Sequence, residues 1–220
     1  MTPHHQEHTG EAPPTAGRTI HYAGVYDLGY TLLFGLDRRL WRMVLELAQV
    51  APGDSLLDVG CGPGRFVLAA GDAVGPSGEA HGIDAAPEMI TVARRKAARA
   101  GAGTHFHVGP FEEMPFEDSN FDIITSTLVL HHLPDEVKRK GFSEARRVMK
   151  PGGRFIAVDF ESPEAGFHGL LSRLFFGRHL GHAKIRDSLD LLREAGFTDL
   201  ESGRTSISWL SFVRGTSPSP

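Results

Sequence analysis

The apolar and polar positions along the chain alternate between strand-like and helix-like spacing, which predicts an α/β domain. Short apolar runs predict strands at 55–59, 81–84, 104–108, 120–127 and 153–160. Helical spacing separates them at 66–74, 87–100, 134–150 and 185–195, and a closing hairpin is predicted from 197–202 and 206–214. Gly101 is expected to stop the second of these helices.

A glycine-rich turn follows the first predicted strand. Ser55–Val59 leads directly into Gly60, Gly62 and Gly64. Glycines suit a turn at which a ligand approaches the bare backbone, and some of these positions are expected to need a positive φ. The second strand ends at an acid, Asp84, about 20 residues beyond the turn, where a carboxylate can accept hydrogen bonds from a ribose. The sequence therefore predicts a site for an adenosine-type ligand.

The spacing of the glycines narrows the choice of ligand. A dinucleotide-binding fingerprint would place its third glycine at position 65, where this chain has Arg65. The acid just before the turn, Asp58, suits a cation or an ammonium group better than a pyrophosphate. S-adenosylmethionine carries both a sulfonium and an ammonium group. The turn alone leaves a nicotinamide or flavin site, or a mere tight turn, as alternatives; together with Asp84 it favours S-adenosylmethionine.

Several segments carry a family resemblance: 56–64, 83–89, 121–124, 130–133 and 148–155. Together they resemble the class I S-adenosylmethionine-dependent methyltransferases, most closely the small-molecule branch that includes the ubiquinone and menaquinone C-methyltransferases. The resemblance spans roughly residues 20–202. It implies a Rossmann-like sheet of seven strands, mostly parallel with an antiparallel last strand, and helices on both faces. It also implies methyl transfer from S-adenosylmethionine to a quinone, a lipid or a natural-product intermediate, with S-adenosylhomocysteine as product.

The expected cofactor contacts follow from the turn, the acids and the resemblance. They are Tyr26, Asp58, Gly60, Cys61, Gly62, Asp84, Ala85, Met89, Phe111, Glu112 and Thr127. Asp84 is expected to hold the ribose hydroxyls, Asp58 and the turn the methionine end, and Met89 to pack near the adenosine.

The loop that matches the family's adenine-binding loop departs from the family pattern. An acid usually follows the loop glycine, but here that position is Pro110. We expect Phe111 to offer its backbone N–H to the adenine, or its side chain for stacking. Glu112 is a substitute acceptor.

The candidate catalytic residues are His131 and His132, which follow the fourth predicted strand. Either histidine can be a packed core residue, and either can remove a proton or anchor the acceptor near neutral pH. The quinone methyltransferases have an arginine and an asparagine at these positions, so their mechanism cannot be carried over in full to this chain. No acid or cysteine lies at ligand spacing, so we expect no metal. Asp159 and Glu161 follow the fifth strand and can face the substrate.

Two further segments allow two interpretations each. Tyr22, Tyr26 and Tyr30 share one face of a predicted helix, which is either a core stripe or, by the resemblance, part of a lid that places Tyr26 near the methionine end. Phe167–Leu180 has apolar residues at helical spacing, which indicate a core helix, a lid over an apolar substrate or a contact with a membrane surface.

Composition places these elements in one domain. A chain of 220 residues with 40% hydrophobic content suits a single core. It has no apolar run of about 18 residues, which a membrane helix needs. We assign 1–17 to a disordered tail, 18–50 to a helical lid, 51–214 to the cofactor-binding domain and 215–220 to a tail.

Charge and cysteine content bear on location and partners. The polar N-terminus predicts no signal peptide, and a single cysteine suits a reducing cytoplasm. A net charge of −4 gives no general attraction to nucleic acid.

Two other classes of function are open. A nicotinamide-dependent oxidoreductase would share the sheet and the acid, but Arg65 disfavours it. A catalytically silent protein that binds S-adenosylmethionine would share the whole site, and the altered loop at Pro110 is compatible with it.

Overall fold

The computed structural model describes residues 37–161 and 185–219, and within them seven strands form one sheet in the order β3-β2-β1-β4-β5-β7-β6. The strands are β1 Ser55–Val59, β2 Glu79–Asp84, β3 Thr104–Val108, β4 Phe121–Thr127, β5 Met149–Phe160, β6 Thr198–Arg204 and β7 Leu210–Thr216. The helices are α1 Asp37–Ala48, α2 Arg65–Val74, α3 Pro87–Ala100, α4 Asp135–Val148 and α5 Ser188–Glu194. Single 3-10 turns lie at Leu130–His132 and Ile185–Asp187.

The direction of the strands confirms the predicted α/β fold. Strands β1 to β5 pair in parallel, and β7 runs antiparallel to both β5 and β6. The strand order reverses between β1 and β4, because β2 and β3 lie on one side of β1 and β4 and β5 on the other. In open α/β sheets, ligands bind at the carboxyl ends of the strands where the order reverses. The loops after β1 and β4 therefore border the expected site.

Alternate residues of the central strands supply two separate cores. Leu56 and Ile123 are register partners in the cluster that α1, α2 and α3 cover. The next pair, Leu57 and Ile124, belongs to the cluster that α4 and α5 cover. All four side chains are fully buried. Both faces of the sheet therefore carry helices, as predicted.

Several predicted boundaries are wrong. Strand β5 begins at Met149 rather than at residue 153, because Met149 pairs with Phe121 and the backbone of 152–153 bonds to Ser217. The hairpin strands are β6 at 198–204 and β7 at 210–216, each shifted toward the carboxyl terminus. The predicted helix 185–195 is a 3-10 turn followed by the shorter α5.

Several predictions fall on residues that the structure does not describe. These are the tail at 1–17, most of the proposed lid at 18–50 with Tyr22, Tyr26 and Tyr30, and the apolar segment Phe167–Leu180. In the described ranges, no helix is long and apolar enough to cross a membrane.

Candidate active site

The glycine turn after β1 packs tightly on one side and is open on the other. Gly60 and Gly64 have φ values of 70° and 77°. A Cβ at Gly60 would lie 2.5 Å from a methyl group of Val129, and one at Gly64 would lie 2.7 Å from the ring of Phe106. Gly62 has a φ of 51°, but a Cβ there would meet nothing within 4 Å. The space beside Gly62 is therefore not filled by the described residues.

Asp84, at the end of β2, is bonded to this turn. Its Oδ2 accepts a hydrogen bond from the backbone N–H of Gly62 at 2.8 Å, and its Oδ1 accepts one from Ala86 at 2.9 Å. The pKa of Asp84 is raised above its ordinary value by burial, and these two hydrogen bonds offset part of that effect. A carboxylate oxygen has two lone pairs, so each oxygen can accept one more hydrogen bond. The residue can thus hold the turn and two hydroxyl groups at once.

Asp58 is the second acid of the site and is 3% exposed. Thr125 donates its hydroxyl hydrogen to Oδ1 at 2.7 Å. Burial raises the pKa of Asp58 to about 7; the Thr125 hydrogen bond lowers it and the nearby Asp84 charge raises it further. No described lysine, arginine or histidine forms an ion pair with this carboxyl group. A buried acid in this state is stabilised in its charged form by an incoming cation.

A cleft at the carboxyl ends of β1 and β4 brings five of the predicted cofactor residues together. Its lining comprises Trp41, Asp58, Gly60, Cys61, Gly62, Pro63, Arg65, Phe66, Thr127 and Leu128. The hydroxyl of Thr127 is buried and has no hydrogen-bond partner among the described residues. Such an orphaned group at a cleft is satisfied by a ligand or by water.

Sequence reasoning missed three features of the cleft wall. Trp41 of α1 borders the cleft, with its ring centroid 5.6 Å from that of Phe66. Arg65 was used only as the residue that breaks the dinucleotide fingerprint. Leu128 has a left-handed φ of 60°, which costs a bulky residue roughly 1–2 kcal/mol. Its N–H bonds to Val158 at 2.9 Å, so the neighbouring strand holds this strain.

The remaining predicted cofactor residues lie outside the lining of this cleft. Ala85 directly follows Asp84, and Met89 is buried against Ala86 in a small separate cluster. Glu112 is half-buried in the loop after β3. Tyr26 lies outside the described residues.

The stacking interpretation of Phe111 is wrong. Its side chain is 5% exposed and packs edge-on against Phe142 at 5.6 Å. It also fills the space beside Gly141 of α4, where an added Cβ would collide with its ring. Because the ring belongs to the core under α4, Phe111 can offer the adenine its backbone and not its side chain.

The two candidate catalytic histidines lie on the 3-10 turn after β4, and one of them pairs with a buried acid. The Nδ1 atom of His131 lies 2.7 Å from Oδ1 of Asp159, and the backbone N–H of His131 donates to Oδ2 at 3.0 Å. The rings of His131 and His132 are 3.8 Å apart at their centroids. Asp159 is 2% exposed and pairs with His131, so the prediction that it faces the substrate is wrong.

The arrangement combines three chemical capacities at one edge of the sheet. Asp84 can accept hydrogen bonds from paired hydroxyl groups, and Asp58 can attract a cation. A histidine with an oriented ring lies on the loop that adjoins the cleft. Together they suit binding of a charged nucleoside beside a group that can take up a proton.

Comparison with known proteins points to one family. Residues 51–200 match the family model described as a methyltransferase domain. The demethylmenaquinone methyltransferase of Thermus thermophilus is 36% identical over 156 residues, which are 70% of each chain. An uncharacterised 37.1 kDa protein of a Streptomyces fradiae transposon is 33% identical over 149 residues, 67% of this chain and 42% of that protein. The chain spans 42–70% of the lengths of the first curated relatives it matches.

A solved structure agrees with the fold. A S-adenosylmethionine-dependent methyltransferase from Aquifex aeolicus superposes with a TM-score of 0.70 at 20% identity, over 90% of this chain and 99% of that one. At this identity the likeness concerns the fold alone.

Proposed function

The chain belongs to the methyltransferase-domain family, and from this premise we propose that it transfers the methyl group of S-adenosylmethionine to a small-molecule acceptor, releasing S-adenosylhomocysteine. The observation that carries the proposal is the buried Asp58 at a cleft beside the open Gly62. A cleft of this kind suits a ligand with a cationic end that approaches the backbone closely.

The residues present fit this cofactor at both ends. Asp58 lacks a cationic partner within the described chain, and the ammonium group of the methionine end would supply one. The orphaned Thr127 hydroxyl lies on the same cleft wall. At the other end, Asp84 retains acceptor capacity for the ribose hydroxyls. The bound cofactor supplies an electrophilic methyl group on a sulfonium.

The other cofactor contacts complete this proposal. Gly60 and Cys61 form the turn under the methionine end, and Ala85 and Met89 follow the ribose-binding acid. The backbone of Phe111 and the carboxylate of Glu112 are the proposed contacts of the adenine, in place of the acid that Pro110 replaces. Tyr26 is the proposed lid contact.

The acceptor is proposed to be a quinone, a lipid or a natural-product intermediate. Similarity to the Thermus thermophilus relative, a demethylmenaquinone methyltransferase, supports a small-molecule acceptor. His131 and His132 are proposed as the base or the anchor of the acceptor. Peripheral membrane contact through Phe167–Leu180 belongs to the same proposal, as does a cytoplasmic location, which a single cysteine suits.

A transfer assay tests the proposal. The protein is incubated with methyl-labelled S-adenosylmethionine and a whole-cell extract, which is then separated into lipid and aqueous fractions. We expect label in one fraction with the wild type. The same result is expected with Asp122→Asn, because the carboxylate of Asp122 on β4 pairs with Lys150 away from the cleft. We expect none with Asp84→Ala.

The fraction that carries the label identifies the acceptor class. Label in the lipid fraction indicates a quinone or a lipid, and label in the aqueous fraction indicates a polar metabolite. Cofactor binding without transfer to either fraction would contradict the proposed enzymatic activity. It would favour a catalytically silent protein that binds S-adenosylmethionine. Binding of reduced nicotinamide instead would favour an oxidoreductase.

A further inference from the structure

We propose that Asp159 is a positioning residue that holds His131 with its proton on Nδ1, so that Nε2 takes a proton from the methyl acceptor. The inference rests on the proposed function and deepens it. It assigns the role of base to one histidine of the pair and restricts the class of acceptor.

Asp159 uses both of its oxygens at the carboxyl end of β5. Oδ1 accepts from the backbone N–H of Phe160 at 2.7 Å and lies 2.7 Å from Nδ1 of His131; Oδ2 accepts from the backbone N–H of His131 at 3.0 Å. Its side chain is 3% exposed, and His131 is its side-chain partner within the described ranges. One buried carboxylate therefore fixes both the backbone and the ring of His131.

This contact selects the tautomer of the imidazole. A carboxylate is an acceptor, so the neutral ring places its hydrogen on Nδ1 and leaves the lone pair on Nε2. Nε2 has no hydrogen-bond partner in the part of the chain that the structure describes, and the His131 side chain is 15% exposed. A nitrogen with an open lone pair, on a ring of fixed orientation, has the geometry of a general base.

The ring is also held by its neighbours. Phe160 contacts it edge-on with centroids 5.0 Å apart, and His132 lies against it at 3.8 Å. Phe160 in turn stacks on Trp209 at 5.6 Å. These contacts restrict rotation of the His131 ring, which a hydrogen bond alone would not prevent. His132 is thereby a packing neighbour of the base.

The role defines a proton transfer whose atoms balance. The nucleophilic atom of the acceptor loses its proton to Nε2 of His131 and forms a bond to the methyl carbon. The carbon–sulfur bond breaks, and its electron pair goes to sulfur. His131 becomes an imidazolium, which the ionised Asp159 stabilises, and it later returns the proton to solvent.

An oriented base implies an acceptor that must lose a proton. A hydroxyl group or an acidic carbon is a weak nucleophile until it is deprotonated, whereas a tertiary amine or a thioether already presents a lone pair. A base such as His131 has no proton to remove from the second group. We therefore infer that the methylated atom carries a proton before the transfer, as a hydroxyl oxygen, an acidic carbon or a protonated amine does.

Nitrogen NMR of histidine-labelled protein tests the assignment without any ligand. The His131 signals are identified by their loss in His131→Gln. In the wild type we expect a protonated Nδ1 and an unprotonated Nε2. In Asp159→Asn a neutral amide replaces the carboxylate that favours the hydrogen on Nδ1, so we expect Nε2 to carry the hydrogen in part of the molecules. Asp122→Asn is the matched carboxylate-to-amide control and should leave the wild-type pattern.

Kinetic measurements distinguish a positioning role of Asp159 from a purely structural one. They use the extract fraction that accepts the label. Asp159→Asn should reduce turnover about 10²- to 10⁴-fold, the range of general-base catalysis, with cofactor affinity within about threefold of the wild type. A wild-type His131 with its hydrogen on Nε2 would overturn the proposal even if the variant fails to fold. Turnover within about threefold of the wild type in a folded Asp159→Asn would also overturn it. Failure of wild-type transfer would instead refute the proposed function.

Discussion

The backbone N–H of Gly62 donates a hydrogen bond to Oδ2 of Asp84 at 2.8 Å. This bond joins the turn after β1 to the end of β2, so it holds the two parts of the proposed cofactor site together. Asp84 also accepts from Ala86, which fixes its rotamer. The acid that is proposed to bind the ribose therefore also shapes the turn that is proposed to bind the methionine end.

Cofactor binding should release a proton at Asp58. Burial raises the pKa of this carboxyl group to about 7, so below that pH the free protein holds a proton on Asp58. An incoming ammonium group favours the charged form, so affinity for S-adenosylhomocysteine should rise with pH from about 5.5 to 7. Calorimetric titrations in buffers of different ionisation enthalpy measure the released proton.

Asp58→Asn is the control for this pH dependence, because its amide cannot titrate. The variant should bind more weakly and release no proton. A wild-type affinity that stays constant over this pH range would contradict the role given to Asp58.

Gly62→Ala should separate ligand contact from backbone strain. Gly62 and Gly101 both have left-handed φ values, 51° and 62°, and a Cβ at either would meet nothing within 4 Å. Alanine should therefore destabilise the fold similarly at both positions, by roughly 1–2 kcal/mol. Urea unfolding measures this cost.

Cofactor affinity distinguishes the two alanine variants. Gly62 lines the cleft, whereas Gly101 ends α3. We expect Gly62→Ala to weaken binding of S-adenosylmethionine at least tenfold and Gly101→Ala to leave it unchanged. Equal affinities would show that the ligand does not approach Gly62.

The sequence predicted those elements of the fold whose ends are marked by local residue types. Strand β1 at 55–59 and helix α3, which ends at Ala100 just before Gly101, match the prediction because an apolar run or a terminal glycine marks each boundary. The start of β5 at Met149 was missed, because its pairing with Phe121 and the bonds of 152–153 to Ser217 depend on residues distant in sequence.

The candidate site likewise contains features that local sequence predicts and features that it does not. Asp58 and the glycines of the turn could be predicted, since their residue types and spacing carry the chemistry. The pairing of His131 with Asp159 could not, because it joins residues 28 positions apart across β4 and β5. The left-handed backbone of Leu128 was equally hidden, since leucine gives no local signal for it.

Acid should destabilise the edge of the sheet through two histidines. His81 Nδ1 and His107 Nε2 lie 3.3 Å apart on β2 and β3. Burial lowers the pKa of His107 to about 4, with His81, His105 and Arg94 adding to the shift. Burial likewise lowers the pKa of His81, which Glu79 partly offsets.

The sign of the effect follows from these directions. As pH falls below 6.5, the ordinary pKa of histidine, His107 takes up a proton in the unfolded chain. In the folded protein His107 stays neutral until about pH 4. Stability should therefore fall as pH decreases through this window. Urea unfolding should show a smaller loss in His107→Gln, whereas His105→Gln, at an exposed position, should resemble the wild type more closely. Identical pH dependence in His107→Gln and the wild type would contradict this explanation.

Calorimetric titration with S-adenosylmethionine tests the central claim most directly. The wild type should bind one equivalent, and Asp122→Ala, which removes a carboxylate far from the cleft, should bind as tightly. Asp84→Ala should bind at least tenfold more weakly, since hydrogen bonds to a charged group contribute roughly 1.5–3 kcal/mol. A wild type that does not bind, or an Asp84→Ala variant with unchanged affinity, would contradict the proposed cofactor site.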